Sequence, residues 1–432
     1  MKLGIIGLGK LGLPLAAVLA DADFQVIGFD TDSKLIHKLS GGYNEFSEPQ
    51  LKELLAKNSR RLRFVKSVKE VVDDCQLIFI IVPTPSDKDG FFSNQNLINV
   101  ISEIGKVLRE SRKTNLVINV VSTVMPGSCE NELIPKFEEC SGLKVGEEIG
   151  FCYSPEFIAL GSVVENMKFP DMHLIGSIDT RSAELLKDIL LKISGDSVPV
   201  RKMSLTEAEI VKISINNFIT MKISFTNMLA QLSDEYVGTD IDIITQAMGL
   251  DSRIGSKYMK AGTSFGGPCF PRDTTALEAE LSRKKIRNAL PRVVKEINID
   301  HDKKLVDICK MEFPDVRKIG LVGLAYKSGT YVYEESSALR LNKLFRDTGS
   351  EVRIWDPLIK RDEVSETDLM LEDNLENLLE LCELIIPTTV LPHDSLKPLY
   401  SIKRPLIVLD PWRQVSSTKN PLLSVRQFGK KR

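Results

Sequence analysis

The chain opens on an apolar run, Lys2–Ile6. Three glycines follow in Gly7-Leu8-Gly9-Lys10-Leu11-Gly12, then a stretch of helical character over residues 11–19. A second apolar run, Gln25–Phe29, ends in Asp30. Strand, glycine turn, helix and strand in that order predict a βαβ unit, with its acid about 20 residues past the first glycine. More β-rich runs, at residues 77–82, 116–121 and 149–153, alternate with helical patterns at 97–108 and 128–137. Such alternation predicts an α/β fold, a parallel sheet with both faces covered by helices. Ligands then collect beyond the C-terminal ends of the strands. The segments there are Val82-Pro83-Thr84-Pro85, Ser122-Thr123-Val124-Met125-Pro126-Gly127 and Ser154-Pro155-Glu156-Phe157.

From Ser204 the period changes. Ser204-Leu205-Thr206-Glu207 reads as a capping box, and a helical stretch without Pro or Gly runs on to about Tyr236. At 1.5 Å per residue it spans roughly 50 Å, enough to bridge two domains. Further helices are expected through Asp300. The opening pattern then returns: a strand at 317–322 followed by Gly323, a helix at 337–347, a strand at 351–355 ending in Asp356, and strands at 384–387 and 406–410. This internal repeat predicts a second Rossmann-like domain with a degraded glycine motif. The expected architecture is two Rossmann-like parallel-sheet domains, 1–202 and 303–432, joined by a long central helix and a helical middle domain, 203–302. The polar, basic tail after Val415 is expected to fray.

Length agrees, since 432 residues at ~150 per domain give about three domains. Lys plus Arg is 57 and Asp plus Glu is 59, a net charge of −2, so neither a nucleic-acid polymer nor an acidic disordered role is favoured. The seven cysteines are scattered, with no CxxC pair. That argues against a structural metal site and for a reducing, cytoplasmic setting. No apolar run reaches the ~18 residues of a membrane span. One rival reading remains at the N-terminus. Met1-Lys2, the apolar stretch to Ala20, and Ala20-Asp21-Ala22 resemble a signal peptide with its cleavage site. Lys10 interrupts that stretch, and the glycine–helix–strand–acid order favours dinucleotide binding instead.

Each residue of that fingerprint has its own task. Gly7 permits the tight turn, Gly9 lets the backbone approach a pyrophosphate at the helix N-terminus, and Gly12 lets helix and sheet pack closely. Asp30 would accept from the adenine ribose hydroxyls and repel a 2′-phosphate, favouring NAD over NADP. The most informative segment is Phe265-Gly266-Gly267-Pro268-Cys269-Phe270-Pro271-Arg272-Asp273. Pro271 suits the first turn of a helix. That places Cys269 at the helix N-terminus, where the dipole lowers a thiol pKa from ~8.5, with Asp273 one turn on. A buried Cys and a dipole-complementing acid fit the same spacing. Lys212 and Asn216 share one face of the long helix and could hold an oxyanion or hydroxyl; a solvated Lys beside a polar helix position is the plainer reading. Thr84 and Thr123 lie in the ligand crevice, where turn chemistry alone would also place them. Glu156 follows a strand and Pro155, a fitting place for a catalytic carboxylate or for a surface acid.

Taken together, GLGKLG, the acid ending the second strand, VPTP, STVMPG, SPEF, KxxxN, SRIG and FGGPCFPRD resemble, in this order, the nucleotide-sugar dehydrogenase family. UDP-glucose 6-dehydrogenases, and nearly as well GDP-mannose 6-dehydrogenases, match from residue 1 to about Arg413. The resemblance implies oxidation of a primary alcohol to a carboxylate with two NAD+ in succession. An aldehyde cannot lose a second hydride until a nucleophile adds to it, and this explains the thiol. By the family pattern Cys269 is that nucleophile, Lys212 stabilises the alkoxide or oxyanion with Asn216 beside it, Asp273 orients water with Thr123, and Glu156 is a base in thioester hydrolysis. The implied NAD contacts are Gly7, Gly9, Leu11, Gly12, Asp30, Lys34, Thr84, Thr123 and Lys327. Phe157, Leu160, Gly161, Lys260, Phe265, Gly266 and Gly267 match sugar-nucleotide positions. Arg253 matches an arginine that reaches the sugar across a dimer interface. Lys327 and Arg413 match nucleotide contacts of the second Rossmann-like domain. A homodimer through the helical domain, a nucleotide-sugar substrate with UDP-glucose favoured, no bound metal and no membrane are implied as well.

Three motifs depart from the pattern. Leu160 replaces a Glu and Ser154 an Asn of NPEFLREG; Glu334 stands where TDDxRES has Arg; Thr388-Thr389-Val390 replaces TEW. GDP-mannose, or another UDP-hexose or UDP-N-acetylhexosamine, is therefore the alternative substrate. The PER motif and His-containing Cys loop of N-acetylmannosamine enzymes are absent. A two-electron β-hydroxyacid dehydrogenase would also carry the Lys-x-x-x-Asn pair, but not the Cys motif or a second Rossmann-like domain. A non-catalytic NAD-binding regulator would be expected to have lost the Cys or Lys.

Overall fold

The computed structural model describes residues 1–44, 46–416 and 420–431. They form two compact units, Met1–Ser214 and Ile215–Arg432. The first contains β1 (Lys2–Ile6), α1 (Gly12–Asp21), β2 (Gln25–Phe29), α2 (Ser33–Ser40), α3 (Leu51–Lys57), β3 (Leu62–Val65), α4 (Val68–Asp74), β4 (Leu77–Ile80), α5 (Gln95–Ser111), β5 (Val117–Val120), α6 (Ile134–Ser141), β6 (Gly150–Tyr153), α7 (Val163–Lys168), β7 (His173–Ser177), α8 (Thr180–Ser194) and β8 (Val200–Met203). Its strands lie in the order β3-β2-β1-β4-β5-β6-β7-β8.

Alternation along the strands builds a core on each face. Leu3, Ile5, Phe79 and Val117 enter one cluster, while Ile6, Ile78, Ile80, Ile118 and Val120 enter the other. The strands from β3 to β6 run parallel. β7 is antiparallel to β6, and β8 runs with β7, so the all-parallel expectation needs correcting at this edge. An antiparallel neighbour is entered from the edge at which the preceding strand leaves. The 154–172 link therefore starts and ends at the C-terminal edge of the sheet, the ligand edge, and it carries Glu156, Phe157, Leu160 and Gly161.

Helix α9 (Leu205–Asp234) follows, about 45 Å long at 1.5 Å per residue. Its capping box forms, with Ser204 N–H donating to Glu207 Oε2 at 2.8 Å and Glu207 N–H to Ser204 Oγ at 3.3 Å. The second unit adds β9 (Thr239–Asp240), α10 (Ile241–Leu250), α11 (Phe270–Arg283), α12 (Ala289–Glu312), β10 (Lys318–Val322), α13 (Ser337–Arg346), β11 (Glu351–Trp355), β12 (Met370–Leu371), α14 (Leu375–Leu381), β13 (Leu384–Pro387), β14 (Leu406–Asp410), β15 (Leu423–Gln427) and β16 (Lys430–Lys431). The sheet order β12-β11-β10-β13-β14-β15 repeats that of β3 to β6, all parallel.

The tail departs from expectation. β15 pairs with β14, β16 pairs antiparallel with β9, and Phe428 is fully buried. Its polar residues find partners inside the unit: Arg426 bonds Asp234 at 2.5 Å and Glu312 at 2.9 Å. Polarity in this segment reflects pairing rather than exposure. Ser417, Thr418, Lys419 and Arg432 of the tail lie outside the described residues.

Candidate active site

In the first unit the glycine loop is shaped as its sequence requires. Gly7 has φ +97°, and a Cβ there would come within 2.0 Å of the Ile81 carbonyl oxygen. A Cβ on Gly12 would lie 1.8 Å from the Gly7 carbonyl oxygen, whereas one on Gly9 would meet nothing within 4 Å. Gly9 thus leaves open space at the start of α1, whose first turn has no side-chain cap. Uncapped N–H groups beside a side-chain-free backbone suit a pyrophosphate. Asp30 ends β2, its Oδ2 accepting from Leu8 N–H at 2.7 Å and its Oδ1 from Asp32 N–H at 2.9 Å. Lys34 lies in the first turn of α2, and Leu11 immediately precedes α1. These residues fit NAD.

The loops after β4 and β5 are stitched together. Ser122 Oγ accepts from Val82 N–H at 2.9 Å and donates to Val82 O at 2.7 Å. Thr84 Oγ1 donates to Thr123 O at 2.7 Å. Glu209 of α9, fully buried, accepts from Gly127 N–H at 2.5 Å and Cys129 N–H at 2.9 Å. It therefore ties the Thr123 loop to the turn that carries Lys212. Lys212 Nζ donates to the Glu156 carbonyl at 2.6 Å and lies 4.7 Å from the Phe157 ring centre. Burial pushes the Glu156 carboxyl up to about 7, against the pull of the Lys212 charge. Glu48 accepts from Gly161 N–H at 3.0 Å and Val163 N–H at 2.6 Å, fixing the loop with Leu160, whose side chain packs on the adjoining core.

In the second unit Cys269 is the residue just before α11, exposed, with Pro271 in the helix's first turn. Cys75, Cys129, Cys152, Cys309 and Cys382 are buried, and desolvation raises their thiol pKa values, to about 12 at Cys75, Cys309 and Cys382. Cys140 is half-buried. Asp273, almost wholly buried, accepts from Asn216 Nδ2 at 2.6 Å, and its carbonyl from Asn217 Nδ2 at 3.0 Å. Asn216 follows Lys212 by one turn of the continuous α9. Gly266 and Gly267 are there for close approach. A Cβ on Gly266 would lie 2.0 Å from the Glu335 carbonyl oxygen, and one on Gly267 2.5 Å from the Tyr326 ring. Gly267 N–H donates to Glu334 O at 3.1 Å, so the segment with the reversed charge lies against the Cys loop through its backbone. Thr388, in the TEW position, accepts from Thr263 Oγ1 at 2.8 Å through its carbonyl.

The remaining positions are more scattered. Arg253 is exposed and pairs with Asp251 at 2.6 Å, and Lys260 is exposed. Lys327 follows Tyr326 in the loop after β10. Arg413 is enclosed, bonding Asp242 at 2.8 and 2.9 Å and Ala261 O at 2.7 Å; here it braces the chain ahead of the Cys loop. Sequence reasoning missed Glu48, Glu209, Asn298, Asp302 and Arg340. A signal existed for some of them. Asn298 and Asp302 interrupt the inward apolar stripe of α12 between Val294 and Leu305, and polar residues at core positions demand partners. Among the described residues no three His, Cys, Asp or Glu side chains cluster as a metal site would require, and no helix is long and apolar enough to cross a membrane.

Residues 1–194 match the NAD binding domain of the UDP-glucose/GDP-mannose dehydrogenase family, residues 206–300 its central domain and residues 320–416 its UDP binding domain. The chain is 32% identical over 363 residues to the UDP-glucose 6-dehydrogenase AglM of Haloferax volcanii, covering 83% of this chain and 84% of that one. It is 32% identical over 362 residues to the GDP-mannose 6-dehydrogenase of Pseudomonas aeruginosa, covering 82% and 81%. A solved UDP-glucose dehydrogenase from Pyrobaculum islandicum superposes with a TM-score of 0.89 at 28% identity, covering 100% of this chain and 98% of that one.

Proposed function

The chain belongs to the UDP-glucose/GDP-mannose dehydrogenase family, NAD-dependent oxidoreductases of nucleotide sugars, and from that premise we propose that it oxidises the C6 alcohol of UDP-glucose to UDP-glucuronate. The observation that carries the reading is the exposed Cys269 at the N-terminus of α11, the other described cysteines being buried or half-buried. The full-length likeness to a solved UDP-glucose dehydrogenase supports UDP-glucose over GDP-mannose.

Bound NAD+ supplies hydride acceptance, once from the C6 alcohol and once from the sulfur adduct that Cys269 makes. The glycine loop, Leu11, Asp30 and Lys34 hold it, with Thr84 and Thr123 at the crevice. Lys212 carries the positive charge that stabilises the alkoxide of the alcohol, with Asn216 one turn away. The Cys269 thiolate adds to the aldehyde carbon; a C–S bond forms and the carbonyl oxygen takes a proton, giving a thiohemiacetal. Oxidation of that carbon leaves a thioester on Cys269. Asp273, fixed by Asn216, orients water together with Thr123. Glu156, with its carboxyl near 7, takes the water's proton; the C–O bond forms, the C–S bond breaks, and the thiol returns.

For the sugar nucleotide, Phe157, Leu160, Gly161, Lys260, Phe265, Gly266 and Gly267 provide the contacts, and Lys327 faces the nucleotide. Arg413 supports the Cys loop from behind. The functional segments are 1–202, 203–302 and 303–432. Phe218, Phe225 and Leu232, seven apart on α9 and all exposed, favour a homodimer through the helical segment, with Arg253 serving the partner's sugar. A cytoplasmic setting suits seven scattered cysteines with no CxxC pair. The test is the ratio of kcat/KM for UDP-glucose to that for GDP-mannose, with NAD+. A ratio well above one is expected; a ratio below one overturns the choice of UDP-glucose.

A further inference from the structure

Just ahead of Cys269 lies the stretch 262–265, gripped at each residue by side chains from other elements. Gly262 N–H donates to Asn227 Oδ1 at 3.0 Å, and its carbonyl oxygen lies 2.7 Å from His301 Nε2. Beyond it, three side chains from two helices converge. Asp302 of α12, 1% exposed, accepts from Ser264 Oγ at 2.6 Å, Ser337 Oγ at 2.9 Å and Arg340 Nε at 2.8 Å. Arg340 of α13 uses the rest of its fork on the same stretch: Nη2 donates to Ser264 Oγ at 2.7 Å and to Phe265 O at 2.9 Å, while Nη1 donates to Glu335 O at 2.7 Å. Asn298, one turn before Asp302, closes a two-bond ring with the Phe265 backbone, accepting from N–H at 2.8 Å and donating to O at 3.0 Å. The Phe265 ring then packs edge-on against Phe270, the residue after Cys269, with ring centres 6.3 Å apart.

A buried ion pair is a poor way to gain stability alone, since well-packed apolar residues often do as well. Its distinguishing property is geometry. A guanidinium fork and a carboxylate accept few arrangements of the groups they hold. Here both, with the Asn298 ring, act on the backbone that enters the Cys269 turn. The geometry points to Asp302, Arg340 and Asn298 as positioning residues for the thiol step. They touch none of the reacting atoms; they set the direction from which Cys269 is presented. This rests on the thioester reading above, and it has a specific consequence. The first oxidation, alcohol to aldehyde, needs no sulfur, so at saturating UDP-glucose, which offsets any weaker binding through Phe265, loosening the clamp slows the second step far more than the first. Misplacement by about 1 Å costs such a step on the order of 100-fold.

Arg340→Lys keeps the charge but loses the fork on Ser264 and Phe265; Asp302→Asn keeps the shape but loses the charge. Each is mixed with NAD+ and saturating UDP-glucose, with and without semicarbazide to trap free aldehyde; trapped aldehyde is measured in its presence and acid in its absence. In parallel, alkylation of Cys269 by iodoacetamide is timed by mass spectrometry, with melting curves to identify a folded variant. The expected result is alcohol oxidation within about twofold of wild type and acid formation lower by ten- to 100-fold. The difference appears as trapped aldehyde, and the Cys269 alkylation rate is altered. Alcohol oxidation and acid formation falling together, or both unchanged with wild-type alkylation, overturns the positioning role. If the wild type itself makes no acid, the thioester reading fails. The clamp is then judged on alkylation alone, where an unchanged rate overturns it.

Discussion

Replacing Glu156 by Gln separates a base from a bystander, because the environment of this carboxyl makes a quantitative demand. Its charge is partly removed from water and only partly answered by Lys212, whose Nζ bonds the Glu156 carbonyl rather than the carboxylate. Raising it from the ordinary 4.5 to about 7 costs the ionised form about 3 kcal/mol, at ~1.4 kcal/mol per tenfold. The sign follows. Between 4.5 and about 7 the folded chain holds a proton that the unfolded chain has released, so this group's contribution to stability falls as pH rises through that window. Activity runs the other way, since only the ionised form accepts a proton. Its fraction rises from about a tenth at pH ~6 to about nine tenths at pH ~8. Acid release in a single turnover should therefore climb about tenfold across that range in wild type. The same experiment with Glu156→Gln should give a slow, flat profile, and an infrared titration of the carboxyl band should show a group near 7 missing from the variant. A wild-type rate that is flat over this range, or a limb that survives in Glu156→Gln, would refute the assignment.

The glycine loop makes a paired prediction. Gly12→Ala would place a Cβ 1.8 Å from a backbone oxygen and should lower the melting temperature, whereas Gly9→Ala meets nothing within 4 Å and should melt normally while raising the KM for NAD+. Equal melting losses in both variants would undo the distinction. Asp30→Ala should narrow the preference for NAD+ over NADP+ by removing the carboxylate that repels a 2′-phosphate; comparison of the two KM values decides it, and an unchanged preference speaks against Asp30. Glu209→Ala leaves the buried N–H groups of Gly127 and Cys129 without their acceptor, at about 1–3 kcal/mol each. Its melting temperature should fall and its KM for NAD+ rise through the Thr123 loop, and a normal melting temperature would contradict the bonding.

Where hydrophobic period and turn chemistry agreed, the fold was legible. β1, β2, β11, β13 and β14 fall where the apolar runs place them, and Pro271 marks the first turn of α11. The reversal of β7 was not legible, since strand direction depends on where a link crosses the sheet, which residue periodicity does not encode. β15 was hidden because Arg426 answers Asp234 and Glu312, which are far away in sequence. The site shows the same division. Cys269 and Asp273 were visible through local spacing, and their helix-start position is a local property. Glu48, Glu209 and Arg340 act on backbone groups more than 70 positions away, and no short motif carries that information. The reverse also occurred: Arg413 carries a nucleotide-contact pattern, yet its guanidinium is enclosed by Asp242 and Ala261.

The central claim is that one chain carries out a four-electron oxidation because Cys269 holds the aldehyde for a second hydride loss. Counting NADH formed per UDP-glucose consumed, in wild type and in Cys269→Ser, tests it most directly. Wild type should form two NADH and one uronic acid per sugar, and Cys269→Ser no acid. One NADH per sugar with no acid from wild type, or full acid formation by Cys269→Ser, would contradict it.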